Sequence, residues 1–172
     1  MFFTIFDLVL LLAVFLFIAF GFALGLVQAL GALVGVVIGT WVAGIFYEPF
    51  AAWLDPFLLG QQNTARVIAF IILFTLINRL VGLIFWLINK IFNLISIIPF
   101  TKSLNRILGA AFGLIEGVLA LGLILYFVSR YSISDWFNGV LGASKIAIFL
   151  IKVASILSPL LPEILRQLKS VI

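Results

Sequence analysis

The chain contains neither cysteine nor histidine. Without cysteine it can form no disulfide scaffold and no thiolate site, and without histidine it has no imidazole metal ligand, no histidine proton relay and no Ser–His triad. No HExxH motif is present, no phosphate-binding glycine loop follows a strand-like segment, and no serine has a base beside it. The sequence therefore predicts a protein that is not an enzyme and that has no cofactor and no metal site.

Charged residues are also scarce. They make up 9% of the 172 residues, whereas a soluble domain has about 25%. Hydrophobic residues make up 66%, and the mean hydropathy is +1.41. So few charges cannot cover a surface that faces water, so the predicted surroundings are membrane lipid. The net charge is +4, but the basic residues are scattered, which favours headgroup anchoring over nucleic-acid binding.

The long apolar runs predict an all-α, polytopic membrane protein with four transmembrane helices. No charge lies between Asp7 and Glu48, a run long enough for two spans, and Gly21 and Gly25 mark the break between them. Because this connection is so short, we expect the first two helices to be antiparallel neighbours. The predicted domain covers residues 1–131, with spans near residues 4–21, 26–47, 65–90 and 106–128.

Residues 132–172 predict an amphipathic interfacial helix and a short tail. The apolar segment 140–158 contains Lys145 and Lys152, which are seven residues apart and therefore on one helix face. We interpret both as membrane-surface anchors, and the alternative is a docking surface for a partner. A fifth span is disfavoured because it would place Lys152 deep in the hydrocarbon.

Two rows of glycines at four-residue spacing indicate a glycine zipper, although glycine is also simply common in membrane helices. Small residues at this spacing let two helix backbones approach closely in lipid. We expect the row of the second helix to pack against that of the fourth. The rows are Gly31, Gly35 and Gly39, and Gly109, Gly113 and Gly117.

Arg79 and Glu116 are predicted to form an intramembrane polar pair. A charge at the bilayer centre costs about 2.5–3.5 kcal/mol on insertion scales, so two opposite charges at similar depth lower this cost if they meet. The pair would either fix the register of the third and fourth helices or form a proton-linked or ion-conducting site. A third alternative is that Arg79 extends to the membrane surface and the two do not meet. The residues alone do not separate these alternatives.

Asp7 precedes the first apolar helix. It is predicted to be an N-terminal acid favoured by the helix dipole, and the alternative is that it pairs with a cation of the bundle.

The segment 104–117 reads LNRILGAAFGLIEG and carries the most specific pattern of the chain. With the early Asp7 and the short turn at Gly25, it resembles the CvpA (colicin V production) family over residues 4–130. The family element (D/N)R-x-LG-x-x-x-G-x-x-x-G is matched at Asn105, Arg106, Gly109, Gly113 and Gly117. The chain departs from the family in two ways. It has no charge beside Gly25, and it has Glu116 where many members have arginine.

The resemblance implies a multi-pass protein of the bacterial inner (plasma) membrane. It implies a non-enzymatic role in toxin (bacteriocin) production or export, or in envelope maintenance, exerted as a homo-oligomer or with a membrane-protein partner. The alternative is a small transporter or channel that uses Arg79 and Glu116. The connection between the third and fourth helices carries basic residues and no acid, which favours the cytoplasm. Together with four spans, this predicts that both chain ends face outward.

Overall fold

The computed structural model describes residues 4–95, 102–131 and 133–161, and these ranges contain helices and no strand. Four helices are long and apolar enough to cross a membrane, which confirms the predicted fold class. They are α1 (Ile5–Leu24), α2 (Leu26–Leu54), α3 (Gln62–Ile95) and α4 (Lys102–Val128), followed by the shorter α5 (Asp135–Ala143) and α6 (Lys145–Ala154). Short 3-10 turns follow α2 and α6, at Asp55–Leu58 and Ser155–Leu160.

A single residue, Gly25, separates α1 from α2. Its φ of +85° lies in the region that favours glycine. Its N–H donates to the Gly21 carbonyl at 2.8 Å and its carbonyl accepts from the Ala29 N–H at 3.1 Å, so one residue closes α1 and starts α2. The predicted break is therefore correctly placed within the glycine turn.

The expectation that α1 and α2 pack as neighbours is wrong. α1 packs along α4, and α2 packs mainly along α3, while α1 and α2 share little surface. The reason is that the glycine faces of both helices turn towards these other partners. α4 also contacts α2 and α6, whereas α3 and α4 scarcely touch. α2 therefore lies between α3 and α4, and a cleft remains between those two helices.

α2 continues beyond its predicted end at residue 47. It passes through Pro49 to Leu54 although proline lacks a donor for the helix ladder. Tyr47 and Ala51, on either side of Pro49, are both buried against the bundle and hold this turn in place. α3 and α4 are likewise longer than the predicted spans. Residues 96–101, where a connection with Pro99 was predicted, lie outside the described residues.

Four aromatic residues fill the bundle core near the end of α4, and we call this cluster the aromatic plug: Tyr47, Phe70, Phe127 and Tyr131. The rings of Phe70 and Phe127 stack with centroids 4.0 Å apart, and the Tyr47 and Tyr131 hydroxyls lie 3.1 Å apart. Burial raises the pKa of the Tyr131 hydroxyl above its ordinary value, so this group stays neutral. The plug is thus a buried aromatic layer whose own four side chains carry no charge, with the Arg66 guanidinium 5.5 Å from the Tyr131 ring centroid.

One continuous helix over residues 140–158 was predicted, and the structure corrects this. α5 and α6 meet at an angle of 86°, because Ser144 is extended and caps α6, its Oγ accepting from the Ala147 N–H at 3.0 Å. α6 buries Ala147, Leu150 and Ala154. Its apolar face lies on α4, where Gly122 makes room for the backbone of Leu150.

Candidate functional site

The carboxylate of Asp7 joins α1 to α6. Thr4 caps α1 and forms a capping box with Asp7, because its Oγ1 accepts from the Asp7 N–H at 3.1 Å while its own N–H donates to Asp7 Oδ2 at 2.8 Å. The Thr4 hydroxyl also donates to Oδ2, at 2.8 Å. The other oxygen, Oδ1, accepts from the Ser144 hydroxyl at 2.6 Å and from the Ile146 N–H at 3.0 Å. Asp7 is only 1% exposed. It therefore caps its own helix and also binds the N-terminus of α6.

This arrangement extends the prediction made for Asp7. Its place as an acid in the first turn of α1 is as expected, but the partners across the bundle are a hydroxyl and a backbone N–H rather than a cation. A carboxylate at a helix N-terminus is favoured by the exposed N–H groups and by the helix dipole. Ser144 was missed from the sequence because its partner lies 137 positions away, although a serine before an apolar helix is a common cap signal.

Asn105 plays the corresponding part at the opposite end of the α1–α4 pair. Gly25 precedes α2 without a side chain to cap it. The Oδ1 atom of Asn105 supplies the missing acceptor and binds the Leu26 N–H at 3.0 Å. The neighbouring Arg106 is exposed, with its guanidinium 5.7 Å from the Phe22 ring centroid. Asn105 thus stabilises the turn between α1 and α2 from α4.

The α4 glycine row packs against α1. The backbones of Gly109 and Gly21 are in direct contact, and Gly113 lies against the backbone of Phe17. A β-carbon at Gly117 would come within 2.8 Å of the Phe17 side chain. Side chains larger than hydrogen would therefore force α1 away from α4.

The α2 glycine row packs against α3, so the expectation that it faces α4 is wrong. Gly31 lies on Phe85, Gly35 on Asn78, and Gly39 on Phe74, where a β-carbon would be 3.2 Å from the ring. The spacing predicts a close contact, but it does not identify the partner helix.

A cavity of about 250 Å³, lined mostly by apolar surface but containing several polar side chains, lies in the cleft between α3 and α4. Its floor is formed by α2 through Gln28 and Ala32, and both Arg79 of α3 and Glu116 of α4 line it. Glu116 is half-buried and lies midway along the α4 span of Ser103–Val128. The remaining lining residues are Leu24, Asn78, Gly82, Leu83 and Trp86. The structure therefore brings the two predicted intramembrane charges into one cavity.

Arg79 and Glu116 do not form a direct ion pair. Among the described residues, the ion pair within 4.0 Å is that of Arg66 with Glu48, at 3.2 Å. The Arg79 cation and the Asn78 amide both act on the Glu116 carboxylate, so the two charges interact without forming a close ion pair. α3 and α4 are also not the packed neighbours that the prediction assumed, because α2 lies between them.

The lysines predicted as surface anchors lie on the outer side of α6. Lys145 and Lys152 are both exposed, while the opposite face of α6 is buried. This is the amphipathic pattern that was predicted, on a helix packed against α4.

These features can be compared with known proteins. A family model described as Colicin V production protein matches residues 6–155 of the chain. The chain belongs to the colicin V production protein family. It is also 25% identical to "Uncharacterized transmembrane protein YshB" of Bacillus subtilis (strain 168), an alignment that covers 94% of the chain and 97% of that protein. No solved structure gives a significant match.

In this colicin V production protein, the motif residues identified from the sequence hold helices together. Asp7 and Asn105 each cap a helix other than their own, and the motif glycines form the contact between α1 and α4. Glu116, where the resemblance leads one to expect arginine, lines the cavity instead. The motif residues therefore account for contacts between helices, and Glu116 lies apart from those contacts.

Proposed function

We propose that this protein is a non-enzymatic component of the bacterial inner membrane that supports the production or export of a secreted peptide toxin, or the maintenance of the cell envelope, by binding another molecule in the cavity between α3 and α4. The family assignment supports the broad role. The observation that supports binding is the cavity itself, in which Arg79 and Glu116 face the same space without pairing directly. Charges within a membrane are costly, so they mark functional sites by default.

The packing between the cavity and the aromatic plug favours ligand binding over ion conduction. Along α2 and α3, the buried side chains between the cavity and the aromatic plug are Val36, Thr40, Ala43 and Phe74. The Thr40 hydroxyl donates to the Val36 carbonyl at 2.6 Å, so its hydrogen-bond donor is already used within its own helix. An ion leaving the cavity in this direction would meet mainly apolar side chains before the two hydroxyls of the aromatic plug, and these would replace little of its water.

A small transporter is the second candidate function. Substrate sites of transporters lie near the bilayer midplane and use polar groups of neighbouring helices, and the position of Glu116 fits this pattern. A transporter would have to open the aromatic plug during its cycle. Flux and binding are therefore separable by experiment.

The proposed binding role is tested by complementation in a strain that lacks the protein and secretes a peptide toxin. Secreted peptide and resistance of the envelope to detergent are measured with Arg79→Gln and Glu116→Gln. We expect both variants to lose most of the complementing activity while reaching the membrane at parental levels. The matched control is Arg66→Gln, which removes a partly exposed cation of the Glu48 pair outside the cavity. Full complementation by both cavity variants would refute the proposal.

Reconstitution distinguishes binding from transport. Purified protein in liposomes is assayed for proton, sodium and potassium flux with ion-sensitive dyes. We expect no flux above protein-free liposomes. Flux that Arg79→Gln or Glu116→Gln abolishes, and Arg66→Gln does not, would support the transporter instead.

The proposed partners are membrane lipid and either a second copy of the chain or another membrane protein. Both glycine rows are engaged within the chain, against α1 and α3, so assembly would have to use other surfaces. Outward-facing apolar side chains on α1, α2 and α3 are available for this.

A further inference from the structure

We propose that the cavity between α3 and α4 binds a small zwitterion, whose anionic group pairs with Arg79 and whose cationic group pairs with Glu116. This rests on the proposed binding function and names the ligand class. Neither charge forms an ion pair within 4.0 Å in the described part of the chain. A ligand with a single charge would satisfy one of them and leave the other unpaired at the middle of the membrane, where unpaired charge is most costly.

Gly82 is the second observation. It lines the cavity, and a β-carbon built on it meets no atom within 4 Å. The glycines of both zipper rows differ, because each contacts another helix. Gly82 therefore leaves open space in the cavity, about one turn along α3 from Arg79, and a small ligand would fit there.

The size and surroundings of the cavity restrict the ligand further. Its volume of about 250 Å³ is below the 300–1,000 Å³ typical of sites for drug-sized molecules. Gln28 and Asn78 add neutral hydrogen-bonding groups. An arginine binds a phosphate or carboxylate through two parallel N–H bonds, and a carboxylate suits a primary ammonium. A phosphoethanolamine headgroup or a free amino acid has this combination of charges.

Two sources can supply this chemistry. α3 and α4 scarcely touch, so the cleft opens sideways to the lipid and an aminophospholipid headgroup can enter. A free zwitterion would enter from the end near Leu24 and Gln28, which lies at the start of α2. The experiment has one arm for each source.

In the lipid arm, the full chain is reconstituted with equal amounts of phosphatidylethanolamine and phosphatidylglycerol, and retained lipid is counted by native mass spectrometry. We expect phosphatidylethanolamine to be retained in preference. Gly82→Leu, which fills the cavity but leaves both charges, should lower its retention by excluding the headgroup. Arg79→Gln and Glu116→Gln each remove one charge-assisted contact and should lower it about ten-fold. The control is Arg66→Gln, which removes a cation outside the cavity.

In the free-ligand arm, phosphoethanolamine and glycine are titrated into delipidated protein, with glycerol phosphate as the probe that has an anionic group and no cationic group. The readout is fluorescence of Trp86, which lines the cavity, after the other three tryptophans (Trp41, Trp53 and Trp136) are changed to phenylalanine. Binding of either zwitterion that Gly82→Leu abolishes supports the proposal with a free ligand as the source.

The proposal is overturned if, in both arms, zwitterionic probes bind no better than probes that carry only an anionic group. It is also overturned if Gly82→Leu and the parent bind the zwitterions equally well in both arms. This result is distinct from failure of the proposed function. If the protein binds zwitterions selectively but its cavity variants still complement secretion, the proposed ligand class stands and the proposed function is refuted. If the cavity variants lose complementation but the protein does not bind zwitterions selectively, the proposed ligand class is refuted and the proposed function stands.

Discussion

At the scale of single residues, the polar positions of the family motif are helix caps that act between helices. Asp7 binds the start of α6 and Asn105 binds the start of α2. In lipid no water is available for an unpaired N–H at a helix end, so each such donor needs a protein acceptor. The sequence indicates that these residues lie at helix ends. It does not indicate which helix they cap, because that depends on how α1, α4 and α6 pack.

The first prediction concerns Asp7→Asn. The amide would turn a donor towards the hydroxyl and N–H groups that now donate to the carboxylate, so α6 should dock less tightly. Because the chain has no cysteine, a single Ala147→Cys reports on this buried face. We expect its maleimide labelling to become several-fold faster in Asp7→Asn. Lys145→Cys, on the exposed side, is the control and should react equally in both backgrounds. Unchanged labelling of Ala147→Cys would show that Asp7 does not hold α6.

The second prediction concerns Asn105. Asn105→Ala removes the acceptor for the Leu26 N–H, and loss of an N-cap costs about 1 kcal/mol. For a chain of this size this lowers the melting temperature by about 2–4 °C. Asn105→Asp keeps the acceptor and should melt close to the parent in detergent, as the (D/N) choice at this motif position suggests. If aspartate and alanine lower the melting temperature equally, the cap is not what Asn105 contributes.

At the scale of helices, the sequence identifies which helix faces make close contacts, but not which helices they contact. The spacing of Gly31, Gly35 and Gly39 correctly indicates a close contact, yet the contact is with α3. The row of α4 instead meets α1, where Gly21 and Phe17 complete the contact. A periodicity is a property of one helix, whereas pairing depends on the shapes of several helices. The bend at Ser144 was missed for the same reason. The apolar run 140–158 does not show that a serine within it ends one helix and caps the next.

The third prediction concerns Gly113. Gly113→Leu would drive a side chain into the backbone of Phe17, and overpacking of this kind costs about 1–3 kcal/mol or more. Because the contact is internal, we expect the monomer itself to lose thermal stability, rather than only its assembly. The matched control, Gly139→Leu, adds the same side chain where nothing lies within 4 Å and should melt like the parent. Normal melting of Gly113→Leu with altered oligomer size would show that the row serves assembly instead.

At the scale of the whole molecule, composition and run length suffice for four spans because the requirements of lipid are so strict. The cavity could be predicted only in part. Arg79 and Glu116 were identifiable as costly charges, but their common cavity exists because α2 separates α3 from α4. Gly82 appears in the sequence as one more glycine of a predicted membrane helix. Only the arrangement of helices shows that the space beside it is empty.

The last prediction concerns how the chain crosses the membrane. α6 has 10 residues, which span about 15 Å at 1.5 Å each, or half of the roughly 30 Å hydrocarbon core. We therefore expect α5 and α6 to enter the membrane without forming a fifth span, with Lys152 on the exposed side of α6. Single cysteines at Ser134 and Ile172 should then react with an impermeant maleimide from one side of the membrane, and one at Thr101 from the other. The basic residues of the connection before α4 predict that Thr101 faces the cytoplasm. Labelling of Ser134→Cys and Ile172→Cys from opposite sides would establish a fifth span, and the charge on Lys152 would then lie within the membrane beside α4.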